Sequence, residues 1–219
     1  MQVSNGGIAS IMTSSRYTTS KMRLYSPQNE RLYLNSTERF AFQKAAERLA
    51  PEMMSFCLTL LHTGCRISEA LEARAGSVDL GAGVMIIRTL KRRSDQVMRE
   101  VPIPISLMET LKETQGIPSL NNAALLWERN GAAVNRSTAY RWIKHAMTTA
   151  GIKGPQASPK GLRHAYGVHA IRSGVPLPML QKWMGHASME TTAIYTNAIG
   201  ADERYIAEWM WSKTAPFHK

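Results

Sequence analysis

Side chains that suit phosphate chemistry are concentrated between residues 158 and 195. This stretch contains the Lys-Gly-Leu-Arg-His run of residues 160–164, then Gly185 and His186, and finally Tyr195. The guanidinium of Arg163 presents a planar fork of donors that matches phosphate oxygens, and Lys160 offers a compact charge and a transferable proton. The hydroxyl of Tyr195 can act as a covalent nucleophile once its proton is removed. Any one of these residues alone would more often be structural, so the prediction of phosphate chemistry depends on their combination.

The same stretch lacks the carboxylates of a metal-dependent nuclease. It contains no Asp, and Glu190 is its only acidic residue. A pair of catalytic magnesium ions needs several carboxylate ligands, which this stretch does not supply. We therefore expect a reaction that uses neither a metal ion nor another cofactor.

The elements upstream of these residues follow from caps and periodicity. We predict a helix that begins at Asn35 or Ser36, because Asn35 and Glu38 have the spacing of a capping box. A second helix should begin at Pro51, and its residues are apolar on nearly every side, which indicates a buried position. Gly64 is placed to end that helix.

A short helix should begin at Arg66, which would anchor this arginine on rigid scaffold, with Glu69 and Glu72 in solvent or in local pairs. Further helices are predicted at residues 106–114, 137–150, 161–173 and 176–185, and a loop with Trp127, Asn130 and Gly131 separates the first two. Tyr195 should lie on, or just before, one more helix. Cys57 and Cys65, the two cysteines, occur in apolar surroundings and are interpreted as reduced packing residues.

Two strands interrupt the helical pattern. Residues 84–88 and 97–103 have strand composition, and a basic segment with Lys91, Arg92 and Arg93 lies between them. Such a charged segment is in general typical of a solvated hairpin tip.

A second motif upstream points to a family. Residues 63–71 read Thr-Gly-Cys-Arg-Ile-Ser-Glu-Ala-Leu and resemble the TGxRxxEL box of the tyrosine recombinases, the phage integrase family. The LRH run, Met184-Gly185-His186 and Tyr195 are similar to the C-terminal signature of that family, and the two motifs stand in its order. The resemblance covers roughly residues 36 to 200. It implies a mainly helical α+β fold, that of the tyrosine recombinase catalytic domain, with a small antiparallel β-hairpin or sheet.

The resemblance also implies an enzyme, a site-specific DNA recombinase of a mobile element, and roles for its residues. Tyr195 would attack the scissile phosphodiester, which gives a 3′-phosphotyrosyl link and a free 5′-hydroxyl. Arg66, which occupies the catalytic position of the first box, and Arg163 would bind the non-bridging oxygens. His186 would hydrogen-bond the phosphate or position Tyr195. Lys160 stands where the family most often has His, and it would assist proton transfer or bind phosphate.

The family's general-acid lysine lies on a hairpin like the predicted one. Residues 99–103, Arg-Glu-Val-Pro-Ile, look like the closing strand of that hairpin. The resemblance therefore assigns the proton donor to Lys91, with Arg92 as the next candidate. Other basic side chains are candidates for DNA contacts, although a solvated face explains those on the helix equally well: Arg92, Arg93, Arg136, Arg141 and Lys144.

The charge of the chain favours a nucleic-acid partner. Among 219 residues, 27 are Lys or Arg and 16 are Asp or Glu, which gives a formal charge of +11 and a pI near 10.0. A basic protein could instead bind an anionic membrane, but the sequence has no long amphipathic basic helix, no apolar run long enough for a span and no signal peptide. We therefore expect double-stranded DNA as the partner and a cytoplasmic location.

The expected organisation is one catalytic domain with a basic arm. Residues 1–34 are predicted as a flexible N-terminal arm, and residues 35–219 as the catalytic domain with a tail helix at about 202–212. The separate core-binding domain of the family is not recognisable, so the arm or an accessory DNA-binding protein would supply the grip on DNA. The tail helix would pack on its own domain or dock in a neighbouring protomer.

Strand exchange between two duplexes requires four active sites, which implies a homotetramer on DNA and is compatible with a monomer in solution. The outcome could be integration, excision, inversion or resolution. Two alternatives stay open at this point. One is DNA relaxation by the chemistry of a type IB topoisomerase, and the other is a non-catalytic DNA-binding accessory protein. A protein without catalytic activity would have no physical need for the full set of catalytic residues, which argues against the second alternative.

Overall fold

The computed structural model describes residues 22–90, 97–117 and 119–198, together with Glu208 and Trp211. The predicted acid Lys91 and its neighbours Arg92 and Arg93 lie outside the described residues, as does most of the predicted tail helix. No helix of the described part of the chain combines the length and the apolar content that a membrane span requires.

Two helices at the start of the domain confirm the predictions from caps and periodicity. Helix α1 (Ser36–Ala46) begins with the predicted capping box, in which the Glu38 amide donates to Asn35 Oδ1 at 2.8 Å and the Asn35 amide donates to Glu38 Oε2 at 2.9 Å. Helix α2 (Pro51–Thr63) is buried along most of its length. It ends at Gly64, whose φ of 61° lies in the left-handed region that glycine adopts without strain.

The sheet is small and antiparallel. Strands β1 (Val78–Asp79), β2 (Val84–Arg88) and β3 (Met98–Pro102) lie in that order, and β2 pairs with β3 from Val84 opposite Pro102 to Arg88 opposite Met98. This pairing confirms the predicted hairpin. Alternate side chains of β3 point into the domain, so that Arg99 and Val101 are both buried. Helix α3 (Ile67–Leu71) precedes the sheet.

Helices α4 (Ile105–Gln115) and α5 (Arg136–Thr149) follow the sheet at the predicted places. Between them the structure adds a second hairpin, β4 (Glu128–Arg129) with β5 (Ala132–Ala133), where the sequence predicted only a loop. Asn130 and Gly131 form its two-residue turn with φ values of 54° and 76°, as a type I′ turn requires. Trp127, just before β4, is fully buried against the edge of Phe56.

Residues 159–198 are helical apart from short connections. They contain α6 (Pro159–Arg172), α7 (Leu177–Met184), α8 (Met189–Ala193) and a 3₁₀ turn at Ile194–Ala198. The sequence placed Tyr195 on, or just before, one more helix, and the structure places it in the 3₁₀ turn (Ile194–Ala198) that directly continues α8. Helix α8 begins after Ser188, whose side chain caps it by accepting from the Thr191 amide.

Residues 22–34 pack on the domain, although they belong to the segment predicted as an arm. Leu24, Tyr33 and Leu34 are buried, and a backbone bridge joins Tyr25 to Arg31. Leu24 and Tyr33 enter a small second core, which also contains Tyr166, Val168, Ala170, Leu180, Met184 and Tyr195. The packed unit therefore begins before the predicted boundary at residue 35, and a truncation that tests the arm should stop at residue 21.

Candidate active site

Arg66 is held by a carboxylate on its own helix. It caps the N-terminus of α3, where its amide donates to Glu69 Oε2 at 3.0 Å and its guanidinium donates to Glu69 Oε1 at 2.7 Å. The Arg66 side chain remains 31% exposed, whereas that of Glu69 is 0% exposed. Glu69 thus makes the predicted local pair but does not lie in solvent. Burial opposes its ionisation, yet the charges of Arg99 and Arg66 hold the pKa of Glu69 below its usual value.

Arg163 lies in the first turns of α6 and is buried. Its two terminal nitrogens donate to the backbone carbonyls of Gly64, at 2.5 Å, and Met184, at 2.6 Å. These bonds fix the guanidinium between the end of α2 and the end of α7. Burial, together with the nearby charge of Arg66, lowers the pKa of Arg163 to about 10, so the side chain keeps its proton at neutral pH.

A cleft of about 500 Å³ brings the predicted cations together. Arg66, Lys160 and Arg163 line it, as do Arg136 and Tyr140 from α5. Lys160 is exposed and Tyr140 is 45% exposed, so the cleft is open to solvent. Four positive side chains thus line one opening, and such a group can surround a phosphate and offset the charge that develops on its oxygens.

Tyr195 lies beside this cleft but does not line it. Its side chain is fully buried, with the hydroxyl 3.2 Å from Nδ1 of His164 and the ring stacked on His186 at 6.1 Å between centroids. Burial raises the pKa of Tyr195 to about 12, an effect that Arg163 and Arg66 partly oppose. The phenol is therefore protonated and withdrawn from solvent in this conformation.

Two histidines with incomplete hydrogen bonding surround Tyr195. Nδ1 of His186 lies 3.0 Å from Oγ1 of Thr192, and its Nε2 has no partner; Nε2 of His164 is also buried without a partner. Burial is the main cause that lowers the pKa of each histidine to about 3, and neighbouring cations add to it. Both rings are therefore neutral at physiological pH.

The structure reveals contacts that sequence reasoning did not assign. His164 belongs to the LRH run but received no role, and Arg99 was noted only as part of a strand motif. A signal for Arg99 was present, since Arg99, Val101 and Ile103 are alternate residues of the predicted strand 97–103 and the other two are apolar. No comparable pattern identifies His164, because its partner Tyr195 lies 31 residues away in the sequence.

The predicted DNA-contacting residues of α5 differ in their surroundings. Arg136 lines the cleft, and Arg141 is exposed with one nitrogen 3.1 Å from Oγ1 of Thr138. Lys144 instead donates to the carbonyl of Ala157 at 2.7 Å, so its ammonium is engaged within the domain.

Among the described residues, no group of three His, Cys, Asp or Glu side chains is arranged to hold a metal ion. Cys57 and Cys65 are buried free thiols, as predicted.

A substitution at Gly167 tests how closely the Tyr195 ring packs against α6. A Cβ at this position of α6 would lie 2.6 Å from the Tyr195 ring, closer than non-bonded carbon atoms approach. Alanine favours a helix by about 1 kcal/mol over glycine, but overpacking costs about 1–3 kcal/mol. We therefore expect Gly167→Ala to lower the melting temperature. In a Tyr195→Ala background the same change should be neutral or stabilising. Thermal unfolding of the four proteins measures this coupling, and equal losses in both backgrounds would show that the ring is not the obstacle.

The sequence is similar to proteins of one family. A family model described as the phage integrase family matches residues 23–200. A tyrosine recombinase of Thermosipho africanus (strain TCF52B) is 32% identical over 136 residues, which cover 62% of this chain and 46% of that protein. A resolvase of Escherichia coli is 30% identical over 175 residues, covering 66% of this chain and 65% of the resolvase. Tyrosine recombinase XerA of Pyrococcus furiosus is 30% identical over 142 residues, covering 64% and 48% of the two chains. The chain thus spans about half the length of these two tyrosine recombinases.

Solved structures share the fold. A crystal structure of XerA recombinase superposes with a TM-score of 0.65 at 25% identity, covering 85% of this chain and 66% of the other. XerH recombinase, in a post-cleavage complex with a palindromic difH substrate, superposes with a TM-score of 0.67 at 21% identity, covering 88% and 57%. These likenesses confirm the predicted mainly helical α+β fold with its small antiparallel sheet.

Proposed function

This chain belongs to the phage integrase family, and from that premise we propose that it cuts and rejoins double-stranded DNA at specific sites through a 3′-phosphotyrosyl intermediate. The observation that carries the proposal is the cleft in which Arg66, Lys160 and Arg163 converge beside the buried Tyr195. This arrangement supplies a cationic phosphate site and a nucleophile within one domain.

In the proposed reaction the deprotonated Tyr195 oxygen attacks phosphorus and the bond to the 5′-oxygen breaks. Arg66 and Arg163 stabilise the negative charge on the non-bridging oxygens, and Lys91 gives its proton to the leaving oxygen. The phosphotyrosyl bond conserves the phosphodiester, so a 5′-hydroxyl from a second strand can reverse the step. The reaction therefore needs neither a nucleotide cofactor nor a metal ion.

Tyr195 must leave its buried position before it can attack. The hydroxyl faces His164 and the ring is enclosed by His186 and Gly167, whereas the cleft lined by Arg66, Lys160 and Arg163 does not include Tyr195. Tyr195 is carried by a short 3₁₀ turn after the five-residue helix α8, elements with few internal hydrogen bonds. We propose that this turn shifts when DNA occupies the cleft, which would couple exposure of the nucleophile to substrate binding.

The proposed assembly is a homotetramer on two DNA duplexes, because exchange uses four nucleophiles. The basic segment of residues 1–21, or an accessory DNA-binding protein, would add to the grip of the catalytic domain. The test is a suicide substrate built from candidate sites in the DNA that flanks the gene. We expect a covalent protein–DNA complex and recombined product. A covalent complex accompanied only by relaxation of plasmids without the site would favour topoisomerase chemistry, and binding without a complex would favour an accessory protein.

The exposed arginines of α5 should contribute to the salt dependence of DNA binding. Each phosphate neutralised by a side chain contributes about −0.9 to the slope of log K against log salt on double-stranded DNA. Arg141→Gln and Arg136→Gln should therefore each reduce the magnitude of the slope by about 0.9. Lys144→Gln on the same helix is the matched control and should change the slope little, since its ammonium already donates to Ala157. Fluorescence anisotropy at several salt concentrations measures the slopes, and an Arg141→Gln slope equal to that of wild type would exclude Arg141 from the interface.

A further inference from the structure

The geometry points to Arg99 as a positioning residue of the active site. One buried guanidinium fixes Glu69, which holds Arg66, and also fixes the end of α7, from which His186 follows. The inference rests on the proposed function, because it concerns how Arg66 is presented to the scissile phosphate.

Every nitrogen of the Arg99 guanidinium has an acceptor. Nη2 donates to Glu69 Oε2 at 2.6 Å, Nη1 donates to Thr89 Oγ1 at 2.8 Å, and Nε donates to the carbonyl of Trp183 at 2.8 Å. The side chain of Arg99 is only 3% exposed. These acceptors belong to α3, to the residue after β2 and to α7, so one planar group joins three segments that are distant in sequence.

Arg99 and Arg66 share the Glu69 carboxylate. Arg66 uses Oε1 through its guanidinium and Oε2 through its amide, while Arg99 binds Oε2. Glu69 is fully buried, and a buried carboxylate is stable only when its charge is compensated. The Arg66 guanidinium, 31% exposed, contacts only one of the two carboxylate oxygens, Oε1. Nη2 of the buried Arg99, whose other two nitrogens are fixed by Thr89 and Trp183, adds a bond to Oε2 and so helps to hold the carboxylate that holds Arg66.

The same guanidinium stabilises the segment before His186. The last carbonyls of a helix have no partner within it, and two of those of α7 are taken by buried arginines: Trp183 by Arg99 and Met184 by Arg163. Gly185 follows with a φ of 62°, and a Cβ there would lie 3.0 Å from Arg99 Nη1. The backbone of Gly185, one residue before His186, therefore packs closely against the Arg99 guanidinium.

Arg99→Lys is the informative variant, because lysine keeps the charge but offers a single nitrogen in place of the three-way fork. Cleavage is measured on two substrates, one with a normal scissile phosphate and one with a methylphosphonate, which lacks the charged non-bridging oxygen that Arg66 would stabilise. We expect Arg99→Lys to slow cleavage of the normal substrate on the order of tenfold or more, since displacement of a positioned group by about 1 Å can cost a hundredfold. The loss on the methylphosphonate should be several times smaller.

Both rates are measured on one preparation, so their ratio does not depend on how much of the variant is folded. A purely structural role for Arg99 predicts equal losses on the two substrates, and that result would overturn the inference. Arg88→Lys is the control, because Arg88 on β2 is 49% exposed and its nearest carboxylate, on Glu72, lies 3.6 Å away. Its rate ratio should match wild type.

Thr89→Val provides a second, milder variant that removes only the Nη1 acceptor and leaves the ion pair intact. It should shift the ratio in the same direction by a smaller factor, and equal losses on the two substrates in Arg99→Lys overturn the inference even if Thr89→Val shifts the ratio. Arg66→Ala separates this failure from failure of the proposed function. If the loss of cleavage rate caused by Arg66→Ala is as large on the methylphosphonate as on the normal substrate, Arg66 does not stabilise the phosphate charge. The proposed function is then wrong at that point. If the rate loss is smaller on the methylphosphonate for Arg66→Ala but not for Arg99→Lys, only the role of Arg99 is wrong.

Discussion

Tyr195→Phe is expected to abolish covalent attachment to DNA while DNA binding persists, because the substitution removes only the nucleophilic oxygen. The ring keeps its contacts with His186 and Gly167, and only the interaction of the hydroxyl with His164 Nδ1 is lost. The loss of one such hydrogen bond changes stability by about 1 kcal/mol. The variant should therefore fold. The measurement is an SDS-stable adduct on a suicide substrate, together with a DNA-binding titration of the same protein.

Tyr25→Phe is the matched control, because Tyr25 is partly exposed and its hydroxyl faces Tyr33 rather than the cleft. That variant should form the adduct at the wild-type rate. An adduct formed by Tyr195→Phe would assign the nucleophile elsewhere. Tyr205, which lies outside the described residues, would be the first suspect and Tyr166 the second. Tyr166 is a poor nucleophile in this conformation, because burial raises the pKa of its phenol well above the usual value.

Local signals in the sequence were sufficient for most of the fold. The capping box of Asn35 and Glu38, the glycine that ends α2 and the strand composition of β2 and β3 act within a few residues, so each could be interpreted without knowledge of the tertiary structure. The motifs around Arg66 and Arg163 likewise predicted side chains that the structure brings together in one cleft. Their catalytic roles remain a proposal.

What sequence reasoning missed depends on partners that are distant in the chain. Glu69 is buried because Arg99, 30 residues away, compensates its charge. Residues 22–34 have too few apolar positions for a visible period, yet Leu24 and Tyr33 find a place beside Tyr166 and Tyr195. The burial of Tyr195 has the same origin, since α6 supplies Gly167 and His164 to enclose it. A pattern of residues can identify a nucleophile, but it does not show whether the nucleophile is exposed.

The largest effect expected at a residue outside the described part of the chain is that of Lys91→Ala. An alkoxide leaving group has a high pKa and needs a proton in the transition state, and general acids contribute on the order of a hundredfold or more. Lys91→Ala should therefore slow cleavage of normal DNA by about that factor. A substrate in which sulfur replaces the bridging 5′-oxygen should restore most of the rate, because a thiolate departs without a proton. Single-turnover cleavage of the two substrates measures both effects.

Three comparisons decide whether Lys91 is the acid. Arg92→Ala and Arg93→Ala should not show rescue by sulfur, because a guanidinium keeps its proton at any working pH. Arg66→Ala and Arg163→Ala should not be rescued either, since the sulfur leaves the non-bridging oxygens unchanged. Lys160 is the competitor that the structure supports, because it lines the cleft beside Arg66 and Arg163. Rescue of Lys160→Ala without rescue of Lys91→Ala would move the acid to Lys160 and leave the hairpin as a phosphate contact.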